Sequence, residues 1–145
     1  MLMIRKGVAA VVFRREREGE IKFLLLKRKK NWKGWEWLKG GCKKWENEDS
    51  CLKREIKEET GVSKFKVKKT SYFHKFSYPE LLVKDGRKYY GAKHKLFLVE
   101  VFSDKIKFDK KEHSGFKWVD KETVLKLITW KDQKNLFARI IKLIK

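Results

Sequence analysis

Residues 40–62 read Gly40-Gly-Cys-Lys-Lys-Trp-Glu46-Asn-Glu-Asp-Ser-Cys-Leu-Lys-Arg54-Glu55-Ile56-Lys-Glu58-Glu59-Thr-Gly61-Val62 and crowd acidic residues into a chain that otherwise carries a net charge of +20. Carboxylates this close together repel one another unless a cation lies among them. Hard divalent metals prefer such oxygen ligands and also bind phosphate. The stretch therefore predicts a divalent-metal site that handles a phosphate-bearing substrate.

Local signals in this stretch predict a short helix. Residues 53–60 contain neither Gly nor Pro. Gly61 stands where a left-handed C-cap belongs, and Asp49 or Ser50 can supply the N-cap oxygen. We therefore expect the acidic residues to be carried by a helix.

The helical period places these acids at the rim of a buried face. At about 100° per residue, Leu52 and Ile56 form a narrow apolar stripe, with Glu55 and Glu59 beside it and Glu58 further round. The ordinary alternative is an amphipathic surface helix whose Glu and Lys side chains pair in water. That alternative explains neither the preceding pair of glycines nor the upstream glutamate.

The spacing of these residues resembles the signature of the Nudix hydrolases. The matching positions are Gly40, Glu46, Arg54-Glu55-Ile56, Glu58-Glu59 and Gly61-Val62. The resemblance implies a single domain over residues 1–145 with an α/β/α sandwich fold, in which a mixed β-sheet lies between helices. It also implies a Mg²⁺- or Mn²⁺-dependent hydrolase that cleaves a pyrophosphate linkage in a nucleoside diphosphate joined to another group.

The same resemblance implies roles for individual residues. The expected metal ligands are the Gly40 carbonyl and the carboxylates of Glu55, Glu58, Glu59 and Glu112. Arg54 and Glu46 are expected to pair and to orient the acids. The catalytic base is left open among Glu55, Glu58 and Glu112.

Glu112 lies outside the signature, shortly before Phe116-Lys-Trp-Val119. Members of the family often carry a glutamate ahead of such a Trp as a further ligand or base. The alternative is a loop carboxylate among lysines. We expect His113 to be a loop residue rather than a catalyst, and neither His74 nor His94 has a partner that the sequence identifies.

The chain most resembles one branch, the asymmetric diadenosine tetraphosphate hydrolases, through residues 23–26, 35–40 and 112–118. It departs from that branch at Leu38, where Pro is usual, and at residues 42–45. The branch implies cleavage to ATP and AMP. Alternatives are pyrophosphate removal from 5′-triphosphorylated RNA, favoured by the charge and the paired glycines, and hydrolysis of ADP-ribose or nucleoside triphosphates. The non-enzymatic alternative is an inactive nucleotide- or RNA-binding domain, against which the intact signature argues.

Substrate contacts are expected from a cation and from aromatic rings. Lys39 can meet a phosphate as a point charge. Adenine recognition needs aromatic faces, for which Trp35, Tyr89, Tyr90 and also Phe73 are candidates, although core packing is the ordinary role of any one of them.

Composition bounds the remaining possibilities. The charge reflects 39 Lys and Arg against 19 Asp and Glu, which suits either RNA binding or steering of small polyanionic nucleotides. No RNA-reading motif accompanies it. No apolar run is long enough to span a bilayer and the N-terminus lacks a secretory pattern, so we expect a cytoplasmic protein without membrane contact. The sequence does not set the oligomeric state.

The two cysteines, Cys42 and Cys51, are too few for a zinc site, and we expect ordinary thiols, with a bridge between them as the alternative. Alternating and β-branched patterns predict strands, and capping residues with helical spacing predict two further helices. The expected strands are 6–14, 21–28, 65–78, 89–102 and 116–119, with a loop or short strand at 31–41 and a loop at 79–86. The expected helices run from Asp120 to Ile128 and from Asp132 onward.

Overall fold

Seven β-strands and three α-helices follow one another in the computed structural model, which describes residues 1–145. The strands are β1 (Leu2–Arg15), β2 (Ile21–Arg28), β3 (Gly34–Glu36), β4 (Leu38–Gly41), β5 (Phe65–Lys84), β6 (Arg87–Val101) and β7 (His113–Val119). The helices are α1 (Glu48–Thr60), α2 (Lys121–Leu127) and α3 (Lys131–Ile140), and a 3₁₀ turn (Ile141–Leu143) follows α3. No helix is both long enough and apolar enough to cross a membrane.

All seven strands form one mixed sheet, in the order β3-β2-β1-β6-β5, with β4 paired to β1 and β7 paired to β2. Strands β1 and β6 are parallel, and the other pairs are antiparallel. β1 and β2 pair only over residues 13–15 and 21–23. Beyond that point β4 pairs with β1 at residues 7–10 and β3 pairs with β2 at residues 26–28. The segment 34–41 therefore lies where the two central strands diverge.

Alternate residues of β1 face two separate cores, because successive side chains of a strand point to opposite faces. Val8, Ala10 and Val12 pack with Leu52 and Ile56 of α1. The intervening residues of β1 pack with apolar side chains of α2 and α3, among them Val124, Phe137 and Ile140. Full burial of each large apolar side chain contributes about 1.5–3 kcal/mol. The sandwich of helices around a mixed sheet is thus confirmed.

Helix α1 begins at Glu48, two or three residues earlier than its predicted start. Asn47, and not Asp49 or Ser50, is the N-cap: its side chain accepts from the Ser50 N–H at 2.8 Å, while the Asn47 N–H donates to Ser50 Oγ at 3.1 Å. This reciprocal capping box satisfies two backbone donors and so favours the longer helix. The C-cap prediction is confirmed, since Gly61 has φ 71°.

The predicted loop at 79–86 is wrong, because β5 continues as a strand through Pro79 to Lys84. The hairpin turns only at Asp85 and Gly86, both with positive φ. Proline is tolerated because β5 is an edge strand and its pairing with β6 is interrupted between Ser77 and Leu82. A missing N–H therefore breaks no ladder hydrogen bond there.

The prediction of free thiols is also wrong. Cys42 and Cys51 form a disulfide with their Cα atoms 5.3 Å apart. Cys42 directly follows β4, and Cys51 lies in the first turn of α1. The disulfide therefore ties the glycine-bearing strand to the acid-bearing helix.

Candidate active site

Arg54 donates hydrogen bonds to three acids, Glu46, Glu55 and Glu58. Its Nε and Nη2 donate to the two carboxylate oxygens of Glu46 at 2.6 and 2.8 Å, and Nη1 donates to Glu55 at 2.8 Å and to Glu58 at 3.1 Å. Nη2 also donates to the Gly41 carbonyl at 3.0 Å. The guanidinium lowers the pKa of Glu46 to about 2. One cation thus joins the loop before α1 to two acids of the helix.

Glu55 lies buried against the backbone of Gly40. A side chain at Gly40 would collide with the Glu55 carboxylate, so only glycine allows this close approach. Burial raises the pKa of Glu55 to about 7, despite the opposing effect of Arg54, and Glu58 and Glu59 add to the increase. The hydrogen bond and positive charge of Arg54 therefore do not fully offset the cost of burying the ionised Glu55 carboxylate.

Glu59 lies one helical turn further on and is also buried. It lies close to Glu112, which directly precedes β7, and to His113, the first residue of β7. One ligand atom from each of Glu59, Glu112 and His113 lies within 4.8 Å of the others. Burial raises the pKa of Glu59. Its Oε2 lies 3.0 Å from His113 Nδ1, an ion-pair distance, although neither atom makes a directed hydrogen bond.

The expectation that His113 is a loop residue is wrong, since it opens β7 and is buried. Its Nε2 lies 2.7 Å from Glu36 Oε2, in hydrogen-bond contact. Burial alone would lower the pKa of His113, but Glu36 and Glu59 raise it to about 9. Because both ring nitrogens face carboxylates, His113 is poorly placed to bind a metal itself.

Glu36 is a site residue that sequence reasoning missed. Its side chain is 0% exposed and also faces Arg28 Nη1 and Lys39 Nζ, each at 3.4 Å. Burial opposes its ionisation, but His113, Lys39 and Arg28 together hold its pKa below the usual value. The available signal was a carboxylate between Trp35 and Trp37, in the segment 31–41 that was predicted to be a loop or short strand.

The donor set fits a divalent cation. The Glu55 carboxylate fills the space that a side chain at Gly40 would occupy, and the buried Glu59 carboxylate lies beside that of Glu112. Hard oxygen donors of this kind suit Mg²⁺ and Mn²⁺. Glu112 is partly exposed and lies 3.6 Å from Arg28. Glu58 is about half exposed and is held by Arg54.

On the other side of Glu36, Lys39 contacts two aromatic rings. Its Nζ lies 5.2 Å from the ring centroid of Phe76 and 5.8 Å from that of Trp32. Both rings are partly buried. The sequence had singled out neither ring, because many aromatic residues compete for the role and the contact joins distant segments.

The aromatic residues named from the sequence lie elsewhere. The ring of Trp35 is flanked by Lys27 and Lys117, whose Nζ atoms lie 5.9 and 5.0 Å from its centroid. Gly40 pairs with Val8, whose partner on β6 is Lys95. At about 3.3 Å per residue, Tyr89 and Tyr90 lie roughly 20 Å along β6 from that point. Phe73 is exposed and lies under Lys93.

The other two histidines do have neighbours. His74 Nε2 lies 2.9 Å from Asp132 Oδ2, so the absence of an evident partner in the sequence was misleading. His94 packs edge-on against Phe76, with ring centroids 5.2 Å apart. Burial lowers the pKa of His94 to about 3, and the charges of Lys39, His74 and Arg5 act in the same direction. His94 is therefore neutral in the folded protein.

Comparison with known proteins establishes the family. The NUDIX domain profile matches residues 3–140. This chain belongs to the Nudix family and is a hydrolase of pyrophosphate bonds.

Individual relatives carry two different substrate names. The chain is 28% identical to an RNA pyrophosphohydrolase of Nitratiruptor over 130 residues, which cover 87% of this chain and 84% of that protein. It is 27% identical to an RNA pyrophosphohydrolase of Campylobacter jejuni over 142 residues, 95% of this chain and 90% of that one. Its fold is similar to that of a C. elegans Ap4A hydrolase in a binary complex, with a TM-score of 0.73 at 22% identity, covering 97% of this chain and 98% of the other.

Proposed function

We propose that this chain is a Mg²⁺- or Mn²⁺-dependent hydrolase that cleaves diadenosine tetraphosphate into ATP and AMP. The observation that carries the proposal is the position of Lys39, directly before Gly40 in the chain and between the buried Glu36 carboxylate and the rings of Trp32 and Phe76. A polyphosphate chain held at the acids can pass over this ammonium group and end on a base that stacks against the rings. The substrate class is therefore a small nucleotide with several linked phosphates.

In this proposal the acids divide into ligands and orienting groups. The Gly40 carbonyl and the carboxylates of Glu55, Glu58, Glu59 and Glu112 hold the cation, which supplies positive charge to the phosphate oxygens. Arg54 holds Glu55 and Glu58 in place and is itself held by Glu46. Lys39 binds a phosphate of the substrate.

The attacking water needs a base, and three carboxylates remain candidates: Glu55, Glu58 and Glu112. In the metal-free protein burial raises the pKa of Glu55 to about 7, and a bound cation would lower this pKa, so the value does not select Glu55 as the base. Glu58 and Glu112 are more exposed. Separate Gln substitutions at the three positions, followed through the pH profile of kcat, identify the base as the one whose loss removes the acidic limb.

A second candidate is removal of pyrophosphate from 5′-triphosphorylated RNA. Two relatives bear that name, and a net charge of +20 favours binding of a long polyanion. The two candidates share the same chemistry at the acids and differ in the group attached beyond the first nucleoside.

One experiment separates the candidates. Purified protein with Mg²⁺ is incubated with diadenosine tetraphosphate, ADP-ribose, ATP and 5′-triphosphorylated RNA, and the products are identified by ion-exchange chromatography. ATP plus AMP from the first substrate supports the proposal. Turnover confined to RNA rejects it in favour of the second candidate, and turnover of none of them by the wild type points to an inactive binding domain.

Variants test the assigned residues. Glu59→Gln should abolish turnover without loss of fold, and unchanged activity in that variant would refute the metal assignment. Phe76→Ala and Lys39→Ala should raise KM for the nucleotide more than they lower kcat. Lys64→Ala, an exposed lysine after α1, is the matched control and should leave both constants unchanged.

A further inference from the structure

The buried carboxylate of Glu36 calls for an explanation beyond stability. It lies on β3, next to the buried residues Trp37 and Leu38, and its side chain is 0% exposed. Removing a carboxylate from water costs several kcal/mol, and apolar replacements of buried ion clusters are often at least as stable. An apolar residue could therefore have filled this position.

One oxygen atom of Glu36 faces nitrogen atoms of two different side chains. Oε2 lies 2.7 Å from His113 Nε2 and 3.4 Å from Arg28 Nη1. Each of these side chains faces a second acid: His113 Nδ1 lies 3.0 Å from Glu59 Oε2, and Arg28 Nη1 lies 3.6 Å from Glu112 Oε2. Glu36 is therefore linked through His113 and Arg28 to two acids of the proposed metal site.

These links constrain the orientation of both acids. In Glu59 the atom that faces His113 is Oε2, and in Glu112 the atom that faces Arg28 is Oε2, which leaves Oε1 of each acid to face a metal. A carboxylate with one oxygen held in this way loses less rotational freedom when an ion binds. The other oxygen of Glu36, Oε1, faces Lys39 at 3.4 Å, so the same carboxylate also holds the proposed phosphate-binding group.

We infer that Glu36 is a positioning residue of the metal centre, which anchors His113 and Arg28 so that Glu59 and Glu112 are oriented to bind a divalent cation. The inference rests on the metal site proposed above. Glu36 touches neither substrate nor metal, and it acts only through the side chains that it holds.

Binding of Mn²⁺ in the absence of substrate, followed by electron paramagnetic resonance, tests this inference directly. Glu36→Leu should weaken Mn²⁺ binding about 10- to 100-fold, as is typical when a partner behind a ligand is removed. Glu36→Gln should weaken it less, because the amide oxygen still accepts from His113. Glu100→Gln is the matched control, since Glu100 pairs with Arg15 and contacts none of these acids.

The pairwise link is measured by a double-mutant cycle. His113→Gln should weaken Mn²⁺ binding by itself, and adding Glu36→Leu should then cost less than it does in the wild type. A purely structural role would lower the melting temperature of both Glu36 variants and leave Mn²⁺ affinity of the folded protein unchanged.

The outcomes separate this inference from the proposed function. If the wild type binds Mn²⁺ and both Glu36 variants bind it with the same affinity, the positioning role is overturned but the proposed metal centre is not. Absence of Mn²⁺ binding by the wild type overturns the proposed metal centre and the positioning role together. If Glu36→Leu does not fold, Glu36→Gln decides the question: Mn²⁺ affinity equal to that of the wild type overturns the inference, and weakened binding supports it.

Discussion

Arg54 donates from Nε and Nη2 to the two carboxylate oxygens of Glu46, at 2.6 and 2.8 Å. Such paired hydrogen bonds fix the plane of the guanidinium, which a lysine cannot reproduce. Its remaining nitrogen contacts Glu55 and Glu58. The orientation of the acids on α1 therefore depends on a residue of the preceding loop.

Replacing this arginine should damage activity far more than stability. Arg54→Lys keeps the charge but loses the paired geometry, and we expect kcat/KM to fall by about 10²-fold, the effect of a small displacement of reacting groups. Steady-state kinetics and thermal unfolding measure the two effects. Arg87→Lys, at the start of β6, is the control. Wild-type kcat/KM in Arg54→Lys would show that the paired hydrogen bonds are dispensable.

Glu55 should destabilise the metal-free protein. Because its pKa is raised from 4.5 to about 7, the folded protein binds a proton more tightly than the unfolded chain, and this contribution to stability is lost as pH rises from 4.5 through 7. Glu55→Gln should therefore be more stable than the wild type by about 1–3 kcal/mol at pH 8 in EDTA. Urea unfolding at pH 4.5 and pH 8 measures the difference. An equal stability of the two proteins at pH 8 would contradict the burial argument.

Addition of metal should reverse that difference. Mg²⁺ at 100 times its dissociation constant should stabilise the wild type by about 2.7 kcal/mol, because it binds only the folded state. Glu55→Gln should respond much less. The measurement is the melting temperature as a function of Mg²⁺ concentration, and an identical response of both proteins would remove Glu55 from the ligand set.

The disulfide between Cys42 and Cys51 should contribute measurably to stability. It closes a loop with a sequence separation of 9, for which the chain-entropy relation gives about 2–3 kcal/mol. Dithiothreitol should lower the free energy of unfolding of the wild type by this amount. The double variant Cys42→Ser/Cys51→Ser should show the lowered stability from the start and no response to the reductant. A wild type that is insensitive to full reduction would contradict the prediction.

His94 should make the protein sensitive to acid. Burial and nearby positive charge lower its pKa to about 3. Between pH 6.5 and 3, His94 is therefore protonated in the unfolded chain and neutral in the folded protein. The contribution of neutral His94 to the free energy of unfolding should thus be fully present above pH 6.5 and should fall by about 1.4 kcal/mol per pH unit toward pH 3. Subtracting the profile of His94→Gln isolates this slope. Parallel profiles in the two proteins would mean that His94 is protonated in the fold.

Comparison of the predicted with the observed elements shows which signals are reliable. The strand at 21–28 and the Asp120 cap were correct, because alternation and capping are local patterns. The predicted start of α1 was two or three residues too late, since several residues of the segment can serve as a cap. The loop predicted around Pro79 was wrong because the position of β5 at the sheet edge, which no local pattern reveals, makes proline harmless there.

In the candidate site too, the residues that local spacing brings together were predicted from the sequence, and those that meet through the fold were not. The sequence indicated Arg54 and the acids of α1 together, because helical spacing alone places them on neighbouring faces. It indicated neither Glu36 nor the role of His113, which lie 77 residues apart and meet only because β3 and β7 both pair with β2. It also left the disulfide open, because the path of the intervening loop decides whether two cysteines meet.

By itself, the amino-acid sequence determined that a helix carries a row of acids beside a buried stripe, and that β-strands precede and follow this helix in the chain. These properties follow from the fixed periods of helix and strand, which act over a few residues. Only the tertiary structure decided that Lys39 lies beside Phe76 and that Glu36 supports His113. Contacts between distant segments depend on strand order and register, which arise from the packing of the whole chain.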